Sequence, residues 1–146
     1  MRIVPVAINA LKGSVFTKTP GKNIRKWEDL RPLKIGLRLG AKYAEYGTQG
    51  MNVVSAPTNQ MVFSMLDRNR IDVAISTALE GSIMIRKLRL EGITIIERPL
   101  VTLDLFHFLH KKHETIIPRI TKALEAMAKE GRIEMIRKKA FERHNN

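Results

Sequence analysis

Three groups of residues in this chain have the types and spacing to do chemistry. The first is Gly40-Ala41-Lys42-Tyr43, where an apolar run that begins at Leu33 stops at a glycine and turns at once into a helix-like pattern. A helix starting there presents N–H groups without intrahelical partners and the positive end of its dipole, so an anion such as a carboxylate is its natural guest. A glycine after a strand also serves simply to permit a tight turn. The second group is Ser76-Thr77, two hydroxyls following the apolar run Ile71–Ile75. The third is His107, His110 and His113, whose imidazoles are a common ligand type for zinc, copper and nickel. On a strand His107 and His110 point to opposite faces and His113 lies beyond its end, so no metal site is read.

Other chemistries lack their parts. Cysteine is absent, which removes disulfides, thiolate metal sites and thiol nucleophiles. Nucleophile-elbow, Walker A and GxGxxG patterns are missing. Glu80, Glu91 and Glu97 have no visible paired acid, and Tyr43 and Tyr46 are read as packing or cleft-lining groups. The seven methionines are read as adaptable core filling. No cofactor is implied, and the chain is not expected to be an enzyme.

The elements that must carry these residues alternate. Ile3–Ile8 and Ser14–Lys18 read as short strands, Thr19–Asn23 as a turn, and Trp27–Leu30 as one helical turn. Lys34–Leu39 reads as a strand, Ala41–Tyr46 as a short helix and Asn52–Ser55 as a strand. Thr58 caps a helix with Met61, Val62, Met65 and Leu66 on one face. Ile71–Ile75 is a buried strand, Ala78–Leu90 a helix with Leu79, Ile83 and Leu88 in register, and Ile93–Ile96 a further strand. Strands separated by helices imply an α/β chain with a mainly parallel sheet. The tail differs: a long apolar strand, Val101–Leu109, precedes two helices. The first carries the stripe Ile116, Ile117, Ile120, Leu124 and Met127 and breaks at Gly131; the second runs to a frayed end at His144–Asn146.

At 146 residues the chain suits one ordinary domain, and 44% hydrophobic with 27% charged residues is a globular composition. No apolar run approaches the roughly 18–20 residues of a membrane span, and the start lacks the apolar core and cleavage site of a signal peptide. The formal charge of +12 raises nucleic acid or an anionic surface as a partner. The excess sits at the two ends: ten basic and three acidic groups in 1–46, six and six in 47–110, ten and five in 111–146. These clusters are poor in aromatics and scattered through helical periods, so a solvated basic face is favoured over nucleic-acid binding.

Three blocks, IRKWEDLRPLKIGLRLGAKYAE from Ile24, QMVFSMLDRNRIDVAIS from Gln60, and ITIIERPLVTLDLFHFLHKKHETIIPRITKALEAMAKEGRIEMI from Ile93, carry a resemblance in their order. Over roughly residues 10–143 the chain resembles the bacterial extracellular solute-binding proteins of family 3, the substrate-binding components of ABC importers. The resemblance implies a periplasmic-binding-protein type II lobe and a small solute, anionic or amino-acid-like, bound at the carboxyl edge of its sheet. Residues 1–24 would be a remnant of the first lobe with a hinge strand, 25–100 the second lobe, and 101–146 the other hinge strand with first-lobe helices. On this resemblance most of the first lobe would be missing.

The implied contacts are Gly40, Ala41, Lys42, Tyr43, Ser76 and Thr77. Family members usually carry Ser or Thr beside the glycine, where this chain has Ala41 and Lys42. They commonly place an ammonium-pairing Asp where it has Ser76, whereas Asp72 matches a structural Asp. The resemblance further implies a periplasmic location, ABC membrane subunits as partners and a homodimer completed through the orphaned first-lobe elements. The alternative is a basic module for nucleic acid or another anionic partner.

Overall fold

The computed structural model of the chain describes residues 1–145; Asn146, part of the expected frayed end, lies outside them. The elements are β1 (Arg2–Thr17), a 3-10 turn (Trp27–Leu30), β2 (Ile35–Arg38), α1 (Lys42–Gly47), β3 (Val53–Ala56), α2 (Asn59–Asp67), β4 (Val73–Thr77) and α3 (Ala78–Lys87). They continue with β5 (Thr94–Ile95), β6 (Val101–Leu109), a second 3-10 turn (Lys111–Ile116), α4 (Ile117–Lys129) and α5 (Arg132–Asn145). The chain divides into two compact units, Lys12–Thr102 and Met1–Leu11 with Leu103 onward.

In the unit 12–102 the strands lie in the order β3-β2-β4-β1-β5. β2 runs parallel to both β3 and β4, whereas the C-terminal part of β1 pairs antiparallel with β4 and β5, so a parallel centre has an antiparallel flank. The central strands β2 and β4 are buried on both faces, which is why each reads as an unbroken apolar run rather than an alternation. Asp72 fixes their register at the N-terminal end: its Oδ2 accepts from the Lys34 amide at 2.7 Å, and its own amide donates to the Lys34 carbonyl at 2.8 Å.

The pleat sorts the core into two clusters. Val15, Ile35, Leu37, Val73 and Ile75 face Ala41 and Ala44 of the β2–α1 segment together with Ile24 and Leu30, with Trp27 and Tyr43 packed alongside. Phe16, Ala56 and Ala74 face Val62, Phe63 and Leu66 of α2, with Met84, Ile85 and Leu88 joining from the α3 side.

Several expected elements shift. The two N-terminal strands are one continuous β1, because its two ends find different partners and the backbone stays extended between them. On α2 the Thr58 hydroxyl accepts from the Met61 amide as a cap should, but Phe63 is buried and Met61 is half exposed. α3 ends at Lys87, not Leu90: Arg89 takes a left-handed φ of 52°, and the Leu90 amide reaches back to the Ile85 carbonyl, closing the helix. Its packed positions are Gly81, Met84, Ile85 and Leu88, and Leu79 is exposed.

In the other unit β6 pairs β1. The Arg137 guanidinium donates to the Ile8 carbonyl at 3.0 Å, and Arg2 bridges Glu114 at 3.0 Å. Pro118 fits the first turn of α4, where no amide is needed, and Gly131 (φ 71°) separates α4 from α5. The stripe Ile117, Ile120, Leu124 and Met127 is half-buried, Ile116 is exposed, and no residue of α4 is fully buried.

Candidate functional site

Gly40 turns the chain between β2 and α1 with φ 85°, a conformation costly for any residue with a Cβ, so the glycine is required there. The Ala41 amide closes the turn on the Arg38 carbonyl at 3.1 Å. The groups expected to wait for an anion already hold one. Glu45 Oε1 accepts from the Gly40 amide at 2.7 Å, and its Oε2 sits 2.6 Å from Lys42 Nζ. A carboxylate from the chain itself therefore stands at this turn.

The Lys42 ammonium and the Gly40 amide hold the Glu45 carboxyl below the ordinary glutamate range, and Glu45 in turn raises Lys42. A depressed folded-state pKa stabilises at pH values above the unfolded one and is lost as pH falls through the folded value. The Gly40 amide resonance should accordingly report the loosening of this turn only below the usual glutamate range. A midpoint at or above that range would show that the contact does not form.

At the end of β4 the alternation separates the two expected hydroxyls. Ile75 packs on the α1 face and Ala74 on the α2 face, so Thr77 lies on the side of Tyr43 and Ser76 on the side of α2. Ser76 lies opposite Ser14 in the ladder, is 2% exposed, and its Oγ has no hydrogen-bond partner among the described residues. Thr77 lies opposite Gly13 and caps α3: the Glu80 amide donates to Thr77 Oγ1 at 3.1 Å, and that hydroxyl donates to Glu80 Oε2 at 3.3 Å.

Tyr43 joins these strands. Its ring lies against Gly13 so closely that a Cβ there would come within 2.7 Å of it, and Val101 closes in at 2.8 Å. The Tyr43 phenol is pushed up to about 12, first by burial and then by the charge of Glu80, with Arg38 acting in the opposite sense. Tyr43, Thr77 and Glu80 thus lie together at the carboxyl end of β4, and Arg38 ends the neighbouring β2, so polar and charged groups stand at this edge of the sheet. The other expected residues divide: Gly40 and Lys42 close on Glu45, and Ser76 faces the other side of the sheet.

Arg38, Glu45 and Glu80 are the additions to the expected site. Glu80 had a signal in the sequence, since Thr77-Ala78-Leu79-Glu80 is a capping-box spacing. The histidines do not gather. His110 Nδ1 accepts from the Lys112 amide at 3.2 Å and starts the second 3-10 turn, and among the described residues no three His, Cys, Asp or Glu side chains are grouped to hold a metal.

No protein-family model and no curated relative matches the chain. Solved structures do. A histidine kinase sensor domain with similarity to periplasmic binding proteins matches with a TM-score of 0.72 and 22% identity, covering 91% of this chain and 60% of the other. The fold is periplasmic-binding-protein-like. An ancestral arginine-binding protein bound to glutamine shares this fold with a TM-score of 0.67 and 20% identity over 92% of this chain and 61% of its own. The substrate-binding protein of an amino acid ABC transporter does so with a TM-score of 0.61 and 13% identity, over 88% and 58%. The chain spans about 60% of the length of these periplasmic-binding-protein-like structures.

Proposed function

We propose that the chain is the solute-binding component of an ABC-type importer, or a part of one, and that it takes a small anionic or amino-acid-like solute at the carboxyl edge of its sheet. One observation carries the reading: Tyr43, Thr77 and Glu80 lie together at the carboxyl end of β4, beside the end of β2 at Arg38, where ligands of open parallel sheets collect, in a fold shared with amino-acid-binding proteins. Gly40, Ala41 and Lys42 are the remaining proposed contacts, the solute's anion competing with Glu45 for the Gly40 amide and Lys42, while Ser76, buried on the α2 side of the sheet, drops out of the expected set. The reading carries with it a periplasmic location, membrane subunits as partners and a homodimer.

The test is titration calorimetry of the whole chain against amino acids, dicarboxylates and phosphate, with the solution mass taken by light scattering. Selective heat from one class is expected. Arg38→Ala should weaken it by about tenfold or more, since a hydrogen bond to a charged group contributes about 1.5–3 kcal/mol. Twice 16.6 kDa is the expected mass. Heat from none of these solutes would end the reading.

A further inference from the structure

α2 buries Val62, Phe63 and Leu66 on its inner face, which leaves Met61, Ser64, Met65 and Arg68, at helical spacing, along the outer one. Arg70 returns to that face. Asn69 takes a left-handed φ of 55°, a conformation asparagine tolerates, and the Arg70 amide donates to the Met65 carbonyl at 2.8 Å. With Thr58 and Gln60 from the start of the helix, these residues line one cavity of about 530 Å³, and none of them is acidic. The Ser64, Met65 and Leu66 carbonyls at the helix end accept from the amides of Arg68, Arg70 and Asn69, so the two guanidiniums are not needed as caps. Among the described residues the side chains of Arg68, Arg70, Ser64 and Gln60 have no hydrogen bond or ion pair within the chain. Asp67, the acid of α2, is already taken by Lys18 at 3.5 Å.

We propose that this cavity is a second binding site, for an amphiphilic oxyanion: a phosphate monoester on an apolar chain, its phosphate held by Arg68 and Arg70 and its chain laid on Met61 and Met65. The site shares no residue with the carboxyl edge of the sheet and stands without the solute reading. Guanidinium forks match phosphate oxygens bidentately and give up their water more readily than an ammonium does. Two cations in one cavity with no acid among its walls repel each other, and a dianion placed between them removes that repulsion. The methionines account for the chain. Met61 is half exposed and belongs to neither core cluster, so it is not core filling, and flexible thioether side chains adapt to an apolar guest. From Met61 to Arg68 the helix advances about 10 Å, at about 1.5 Å per residue, so a free phosphate at the arginines leaves the methionine end of the cavity empty.

Octyl phosphate below its micelle concentration is the probe, with inorganic phosphate lacking the chain and octyl glucoside lacking the charge. The methyl resonances of Met61 and Met65 are followed in the whole chain, because they report this face and not the apolar surface elsewhere. Octyl phosphate should shift both in a saturable way, and neither control should do so. The double variant Arg68→Gln, Arg70→Gln changes two exposed side chains and should melt at the natural temperature. It should bind octyl phosphate about tenfold or more weakly, the effect of losing a hydrogen bond between charged groups, with its calorimetry against amino acids unchanged. Equal shifts from octyl glucoside would reduce the contact to apolar adsorption and overturn the proposal. Equal shifts from inorganic phosphate would remove the role of the chain and overturn it too. So would no shift with octyl phosphate, unchanged affinity in the double variant, or a loss of amino-acid binding alongside it.

Discussion

Replacing Phe16 by alanine is expected to remove about 3–5 kcal/mol of stability, the usual cost of deleting a fully buried aromatic ring. Phe16 is 0% exposed, stands edge-on to Phe63 with centroids 5.2 Å apart, and covers Gly81 on α3. Gly81 makes the experiment diagnostic. A glycine inside a helix normally gains about 0.5–1 kcal/mol when changed to alanine. Here the added Cβ would lie 2.1 Å from the end of the Phe16 ring, so Gly81→Ala should instead cost about 1–3 kcal/mol through overpacking. With Phe16 already cut to alanine the obstacle is gone, and Gly81→Ala should then stabilise. Urea unfolding of the four chains closes the cycle. Equal effects of Gly81→Ala in both backgrounds would show that the ring does not rest on the glycine.

That contact marks how far the sequence reaches. The central strands were legible because β2 and β4 are buried on both faces and leave unbroken apolar runs, and the start of α2 because Thr58 is a cap with a hydroxyl to give. Gly40 was legible as a turn because its positive φ favours a glycine. What escaped depends on contacts far apart in sequence or on conformations that residue type does not announce. β1 reads as two strands because Asn9 to Lys12 interrupts its apolar pattern, yet different neighbours take up its two ends. Arg89 ends α3 in a conformation arginine rarely adopts, and nothing in its type signals this. At the site, Glu45 lies only three residues from Lys42, and the pair is a familiar helical neighbour contact. Its second bond, to the Gly40 amide, is what fills the expected anion position, and periodicity does not reveal it. The approach of Tyr43 to Gly13 spans thirty positions and sets which side Thr77 and Glu80 share.

Ser76→Ala should raise stability and leave solute affinity unchanged. The hydroxyl is 2% exposed and its Oγ lacks a partner among the described residues, so folding pays for its desolvation, about 1–3 kcal/mol, without a bond in return. Alanine removes that cost and leaves almost the same shape. The neighbouring hydroxyl should behave oppositely: Thr77 accepts from the Glu80 amide, and Thr77→Ala should cost about 1 kcal/mol through the lost cap. Urea unfolding of the two variants therefore has to give opposite signs from adjacent hydroxyls on opposite faces of one strand. A destabilised Ser76→Ala would mean that Ser76 is bonded within the fold. A gain in stability with unchanged affinity would mark the hydroxyl as buried without a partner on the side of the sheet away from the solute edge.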